Sequence, residues 1–160
     1  MLSNMYKQKR EAGFTIIEVM IVLAIAGLIL LVVFLAVPAL QRNARNTQRR
    51  EDAGNLLSAV SEYEANNNSA IPGVQANLGS GSTATLGTGA GINTVSVNLG
   101  YYDASNVSVV AYAASITTTT DTIKIVTGAT CSGNAYASGN ARSVAIIYTL
   151  ETAVAQCRAS

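Results

Sequence analysis

Twenty-two consecutive residues, Val19 to Leu40, carry no charge, and a carboxylate, Glu18, stands immediately before them. At about 1.5 Å of rise per residue, such a run spans roughly 33 Å as a helix, enough to cross a bilayer. A charged residue at the edge of a membrane-length helix is costly, by roughly 2.5–3.5 kcal/mol at mid-membrane and less near the interface. Glu18 is therefore a candidate functional group. The plain alternative is a side chain that snorkels to the interface and meets no partner.

The flanks of the run decide what kind of segment it is. Lys7, Lys9 and Arg10 precede it, and Arg42, Arg45, Arg49 and Arg50 follow it. A cleaved secretory signal has an apolar core of about 7–15 residues. This run is longer, and a cut near Ala39 would fall beside Pro38, so a retained membrane helix is the better reading. Basic residues on both sides leave its orientation undecided. The two cysteines, Cys131 and Cys157, lie far beyond it. An even count beyond a membrane segment points to one disulfide in an oxidising compartment. That places the C-terminal part outside.

Several function classes are disfavoured. Without residues 1–13 the chain keeps seven basic and eight acidic residues, a formal balance of −1, so no nucleic-acid partner is expected. The four arginines after the run form no single stripe, and Glu51 and Asp52 follow them; they read as a solvated or interface-paired surface. There is no His, and after residue 66 the acids are Asp103, Asp121 and Glu151. No general base and no nucleophile-elbow pattern is recognisable, so no catalytic residue is expected. Two cysteines without His cannot complete a zinc shell, and no metal is expected. The glycines at Gly79, Gly81, Gly87, Gly89 and Gly91 lack a following Gly-Lys-Ser/Thr, so no phosphate loop and no cofactor is expected.

Beyond the run, Ala53, Leu56, Leu57, Val60 and Tyr63 recur at three- and four-residue spacing, while Arg49, Arg50, Glu51, Asp52 and Glu62 fall largely elsewhere. One helix over Phe14–Asn66 is expected, apolar all round in its first half and striped in its second. Gly27 weakens it and Pro38 removes a backbone donor, so both are expected to bend it. Asn66 to Gly73 stops it with turn formers and a proline. The stretch to about Asn93 reads as a long surface connection. Four strands follow: Val95–Leu99, Val107–Ala114, Thr122–Thr127 and Val144–Leu150. Turn-rich pieces separate them, including Ser132–Asn140. Such strands in series favour an antiparallel meander covered by the apolar stripe of the helix.

The stretch Gly13-Phe14-Thr15-Ile16-Ile17-Glu18, behind Lys7-Gln8-Lys9-Arg10-Glu11-Ala12, resembles the processing and assembly motif of type IV prepilins and pseudopilins. The resemblance covers residues 7–66 by motif and the remainder by architecture. It implies an α+β pilin fold. It divides the chain into a leader (1–13), a membrane-spanning and filament-core helix (14–40), an amphipathic helix half (41–66) and a β-sheet head (67–160). It implies that prepilin peptidase cuts between Gly13 and Phe14 and N-methylates Phe14. Glu18 would then meet the Phe14 amine of a neighbouring subunit during filament assembly. Implied partners are that peptidase, further copies of the chain, the pilus assembly machinery and the membrane. The chain would sit in the cytoplasmic membrane before assembly and in an extracellular filament afterwards. A disulfide between Cys131 and Cys157 would bound the C-terminal region, which in this family makes subunit and surface contacts. Pro38 lies a few residues later than the family's usual proline.

The reading that follows is a structural pilus subunit for adhesion or motility. A pseudopilin of a type II secretion or DNA-uptake system is its neighbour within the class. A membrane-anchored binding domain that never polymerises is the rival from another class. An uncut leader, or full function without Glu18, would mark the rival.

Overall fold

The computed structural model describes residues 13–87 and 93–160. The leader residues before Gly13, and Gly89 and Gly91, lie outside the described residues. The chain divides at Leu40 into two units.

The first unit is the start of helix α1 (Ile16–Asn66). The helix begins two residues later than expected because Thr15 caps it from outside. From Ile16 to Leu40 none of its large apolar side chains is buried. An 18-residue window here reaches a mean hydropathy of 3.3, so the segment is long and apolar enough to cross a membrane. A helix apolar all round needs lipid or other helices as its surroundings.

The second unit holds the rest of α1 and, among the described residues, nine strands. These are β1 (Gly79–Ser80), β2 (Thr83–Leu86), β3 (Val95–Asn98), β4 (Val107–Ala111), β5 (Ile123–Thr127), β6 (Ala129–Ser132), β7 (Ala135–Ser138), β8 (Val144–Thr149) and β9 (Ala155–Ala159). Strands β1-β2-β3 form one antiparallel sheet and β6-β7 a hairpin. The main sheet runs β4-β5-β8-β9. Its β5–β8 and β8–β9 pairs are antiparallel. The fold is α+β, as the sequence leads one to expect.

The connectivity departs from a simple meander in the place of β3, expected to lead the series but lying with β1 and β2 outside the main sheet, and in the direction of one pair. β4 and β5 pair in parallel, with Val107 opposite Ile123 and Ala111 opposite Thr127. The connection over residues 112–122 is long enough to carry the chain back to the starting end of β4. A parallel pair requires that return, whereas a two-residue hairpin would have forced the antiparallel arrangement. The expected extension of β4 to Ala114 is also lost, because the strand ends at Ala111.

The apolar stripe of α1 does what its spacing predicts. Ala53, Leu56, Ala59, Val60 and Tyr63 pack with Val107, Val109, Ile123, Ile125, Val144, Ile146 and Tyr148 of the main sheet in one core. All six residues of β8 are buried, which alternation alone does not predict. The other face, Ala145 and Ile147, joins Val126 and Ala129 in a second cluster against which Cys131, Tyr136 and Cys157 are packed. A strand covered on both faces reads as a nearly continuous apolar run, and Val144-Ala145-Ile146-Ile147-Tyr148 is one.

Candidate assembly site

Gly13, Phe14 and Glu18 lie together at the start of α1. Phe14 is 88% exposed. A side chain added at Gly13 would meet nothing within 4 Å, so the Gly13–Phe14 peptide is open on that side. Thr15 and Glu18 stand three residues apart across the first turn and satisfy each other. The Thr15 amide donates to Glu18 Oε2 at 2.9 Å and the Thr15 hydroxyl donates to the same oxygen at 2.8 Å. In return the Glu18 amide donates to Thr15 Oγ1 at 3.3 Å. This is a capping box, and it saturates two backbone donors that the helix start would leave bare. Among the described residues nothing donates to Oε1. One carboxylate oxygen thus shapes the helix terminus while the other faces outward.

Gly27 and Pro38 both lie inside α1. Cys131 on β6 and Cys157 on β9 are joined by a disulfide with their Cα atoms 5.7 Å apart. It ties the outer hairpin to the edge of the main sheet. Among the described residues no three His, Cys, Asp or Glu side chains gather closely enough to hold a metal ion.

A second polar constellation lies within the head unit, and its sequence signal was misread. Arg49 and Asp52, expected off the packed face, are each only 1% exposed. Arg49 sits one turn before Ala53, and Asp52 one turn before Leu56, on the same stripe. The Asp52 carboxylate accepts three successive backbone amides, from Gly100 at 2.7 Å, Tyr101 at 2.8 Å and Tyr102 at 3.1 Å. A loop whose amides converge in this way is an anion cradle. The carboxylate fills it from the helix.

Arg49 lies beside that cradle. Its guanidinium carbon stands 4.1 Å from the centre of the Tyr101 ring, Nη1 donates to Asn46 Oδ1 at 3.0 Å, and Nη2 donates to the Tyr101 hydroxyl. Nη2 is also 3.7 Å from Glu151 Oε1. Arg45 grips the same Glu151 with both prongs, Nε to Oε1 and Nη2 to Oε2 at 3.0 Å. The hydrogen bond from Arg45, followed by the charges of Arg45, Arg49 and Arg42, holds the Glu151 carboxyl below its ordinary value. Burial pushes the Tyr102 hydroxyl well above the usual phenol range. The group therefore fastens α1 to two loops, 100–102 and the one at Glu151. It is structural chemistry, with each acid engaged by amides or guanidinium groups.

Residues 8–34 match the family model of the prokaryotic N-terminal methylation motif. No curated protein and no solved structure gives a significant match. Glu18 and its capping partner Thr15 both fall within the matched residues. Over those residues the chain carries the class III leader motif of type IV pilins, as found in pilin- and pseudopilin-like prepilins.

Proposed function

We propose that this chain is a structural subunit of a type IV pilus. Prepilin peptidase cuts it between Gly13 and Phe14 and methylates Phe14, and the processed chain polymerises through α1. The match of residues 8–34 to the methylation motif carries this reading. The exposed apolar surface from Ile16 to Leu40 supports it, because that surface requires a non-aqueous partner. In the membrane the partner is lipid, and in a filament it is the same segment of other copies. Bending at Gly27 and Pro38 belongs to this reading as the means of fitting one helix to both settings.

Glu18 supplies the register. Cleavage creates an ammonium at Phe14, about one helical turn from the carboxylate. Either charge alone is expensive in a low-dielectric setting, whereas the pair attract. The outward Glu18 Oε1 is the free acceptor for a neighbouring amine. Within the family we assign the chain to an adhesive or motile pilus, which requires that it dominate filaments sheared from the cell surface.

Mass spectrometry of the N-terminal peptide from sheared surface material tests the processing. A chain that begins at N-methylated Phe14 is the expected result. An intact Met1, or a cut near Ala39, would overturn the reading and leave an anchored or secreted β-domain.

A further inference from the structure

The part of α1 in the head unit has a second face. Opposite the buried stripe, Glu51, Asn55, Ser58 and Glu62 are all exposed. Their spacing of four, three and four residues places them in one line within an arc of about 60°. Neither Glu51 nor Glu62 is within salt-bridge distance of a described basic residue, since the ion pairs found there are Arg45–Glu151 and Arg49–Glu151.

On the flank of the same segment the charge is reversed. Arg50 and Arg158 are both exposed and adjacent. Arg158 Nη1 lies 3.5 Å from the carbonyl oxygen of Arg50 and passes over Gly54, where an added Cβ would stand 3.0 Å from it. No described carboxylate reaches either guanidinium group within 4 Å. Both guanidinium groups act on the Tyr148 hydroxyl, which carries no charge to balance them, and a carboxylate from outside would supply one. The chain's own Glu51 does not reach either group within 4 Å.

Each molecule therefore carries an unpaired acidic line and an unpaired basic flank on different faces of one helical segment. Unlike patches that complement each other suit a head-to-tail contact that does not close, whereas a two-fold dimer would need one self-complementary patch. We infer that Glu62 of one copy pairs with Arg158 and Arg50 of the next copy along a filament. Glu62 is the choice because it is farther along the helix from Arg50 than Glu51 is. The basic pair sits level with residues 50–54, eight to twelve positions before Glu62. Copies in parallel would then be offset along the helix by about 12–18 Å. This contact rests on the filament reading given above.

The test is charge reversal in the full-length chain, with filaments sheared from cells and quantified. Glu62→Arg and Arg158→Glu should each lower filament yield by about tenfold or more. The two together in one chain should restore most of it, since every interface regains an opposite pair. Wild-type yield from either single variant would overturn the contact, and so would failure of the double variant to recover. A wild-type chain that forms no filament at all would instead overturn the filament reading itself. A second measurement does not depend on variant yield. Arg158→Lys filaments treated with carbodiimide should give a peptide cross-linked between positions 62 and 158 of different copies. Assembled Arg158→Lys filaments lacking that peptide would count against the pair.

Discussion

Glu18 is folded back onto Thr15, with one carboxylate oxygen accepting both the amide and the hydroxyl of Thr15. The carboxylate thus has a local task before it meets any partner. Thr15→Ala removes the hydroxyl and should cost the helix start about 1 kcal/mol, the usual worth of an N-cap. Glu18→Ala removes the cap and the partner group together. The expected outcome is that both variants are cut after Gly13, that Thr15→Ala assembles somewhat less, and that Glu18→Ala assembles poorly. N-terminal mass spectrometry and sheared-filament yield measure the two effects separately. Normal filaments from Glu18→Ala would remove the register mechanism.

Asp52 carries a heavier structural load. Its replacement by Ala leaves the amides of Gly100, Tyr101 and Tyr102 without their acceptor, that of Tyr102 in a buried place and the other two half-buried. The expected loss is about 2–3 kcal/mol, most of it from the buried Tyr102 amide, because water can reach the other two. Asp52→Asn keeps one acceptor oxygen and should lose less. Thermal unfolding of the detergent-solubilised full chain is the measurement, and equal melting of the two variants would contradict the cradle.

Acid should loosen the attachment at Glu151. The Arg45 hydrogen bond holds this carboxyl below its ordinary value in the folded chain. A depressed carboxylate contributes stability above the unfolded value, and that contribution disappears as pH falls through the folded one. Glu151→Gln should therefore be less stable than the parent near pH 7 and about equal to it in acid, once the pH lies below the depressed folded value. Unfolding curves at the two pH values check the sign. A difference that persists unchanged in acid would mean that packing, and not charge, is at stake.

Alkali should act through Tyr102. Its hydroxyl is buried without a hydrogen-bond partner among the described residues, and burial pushes its ionisation upward. A raised value contributes stability below the unfolded phenol value of about 10, and that is lost as pH climbs beyond it. Tyr102→Phe should flatten the alkaline limb of stability while leaving the neutral chain no weaker. A loss of stability at pH 7 would show that the hydroxyl is satisfied after all.

Gly139 has no room for a side chain. A Cβ there would stand 2.1 Å from Ser143 Oγ and 2.9 Å from the Ala129 carbonyl carbon. Gly139→Ala should destabilise the head by about 1–3 kcal/mol through forced displacement of the Ala129 backbone. Gly133→Ala meets open space, and its cost comes only from a φ of +63°. The melting of the pair ranks steric crowding against backbone strain, and the Gly139 variant should fall further.

Legibility in the sequence followed the size of the side chains. The large apolar residues announced α1, its stripe, and β5 and β8, because their burial dominates the energetics. The smaller strands were hidden. β1 and β2 sit in a Gly-, Ser- and Thr-rich stretch that looks like a connection, and Gly81 makes their turn with a φ of +73°. The β6–β7 hairpin turns at Gly133-Asn134, a recognised hairpin dipeptide, but its flanks are mostly Ala, Ser and Thr. At the candidate site, Gly13, Phe14 and Glu18 were readable as a motif, whereas the Thr15 cap was missed although Thr-x-x-Glu was its signal. Arg49 and Asp52 were missed because charge was taken to mean exposure. Their three- and four-residue spacing to Ala53 and Leu56 was the signal that they face inward.

The bond between Cys131 and Cys157 also bears on damage. It closes a ring that contains β7 and β8 together with their turns. A single backbone cut anywhere in that ring still leaves one covalent molecule, because the disulfide bypasses the break. Fragments cannot drift apart until the bond is reduced. Such a ring turns an encounter with a protease from a severance into a nick.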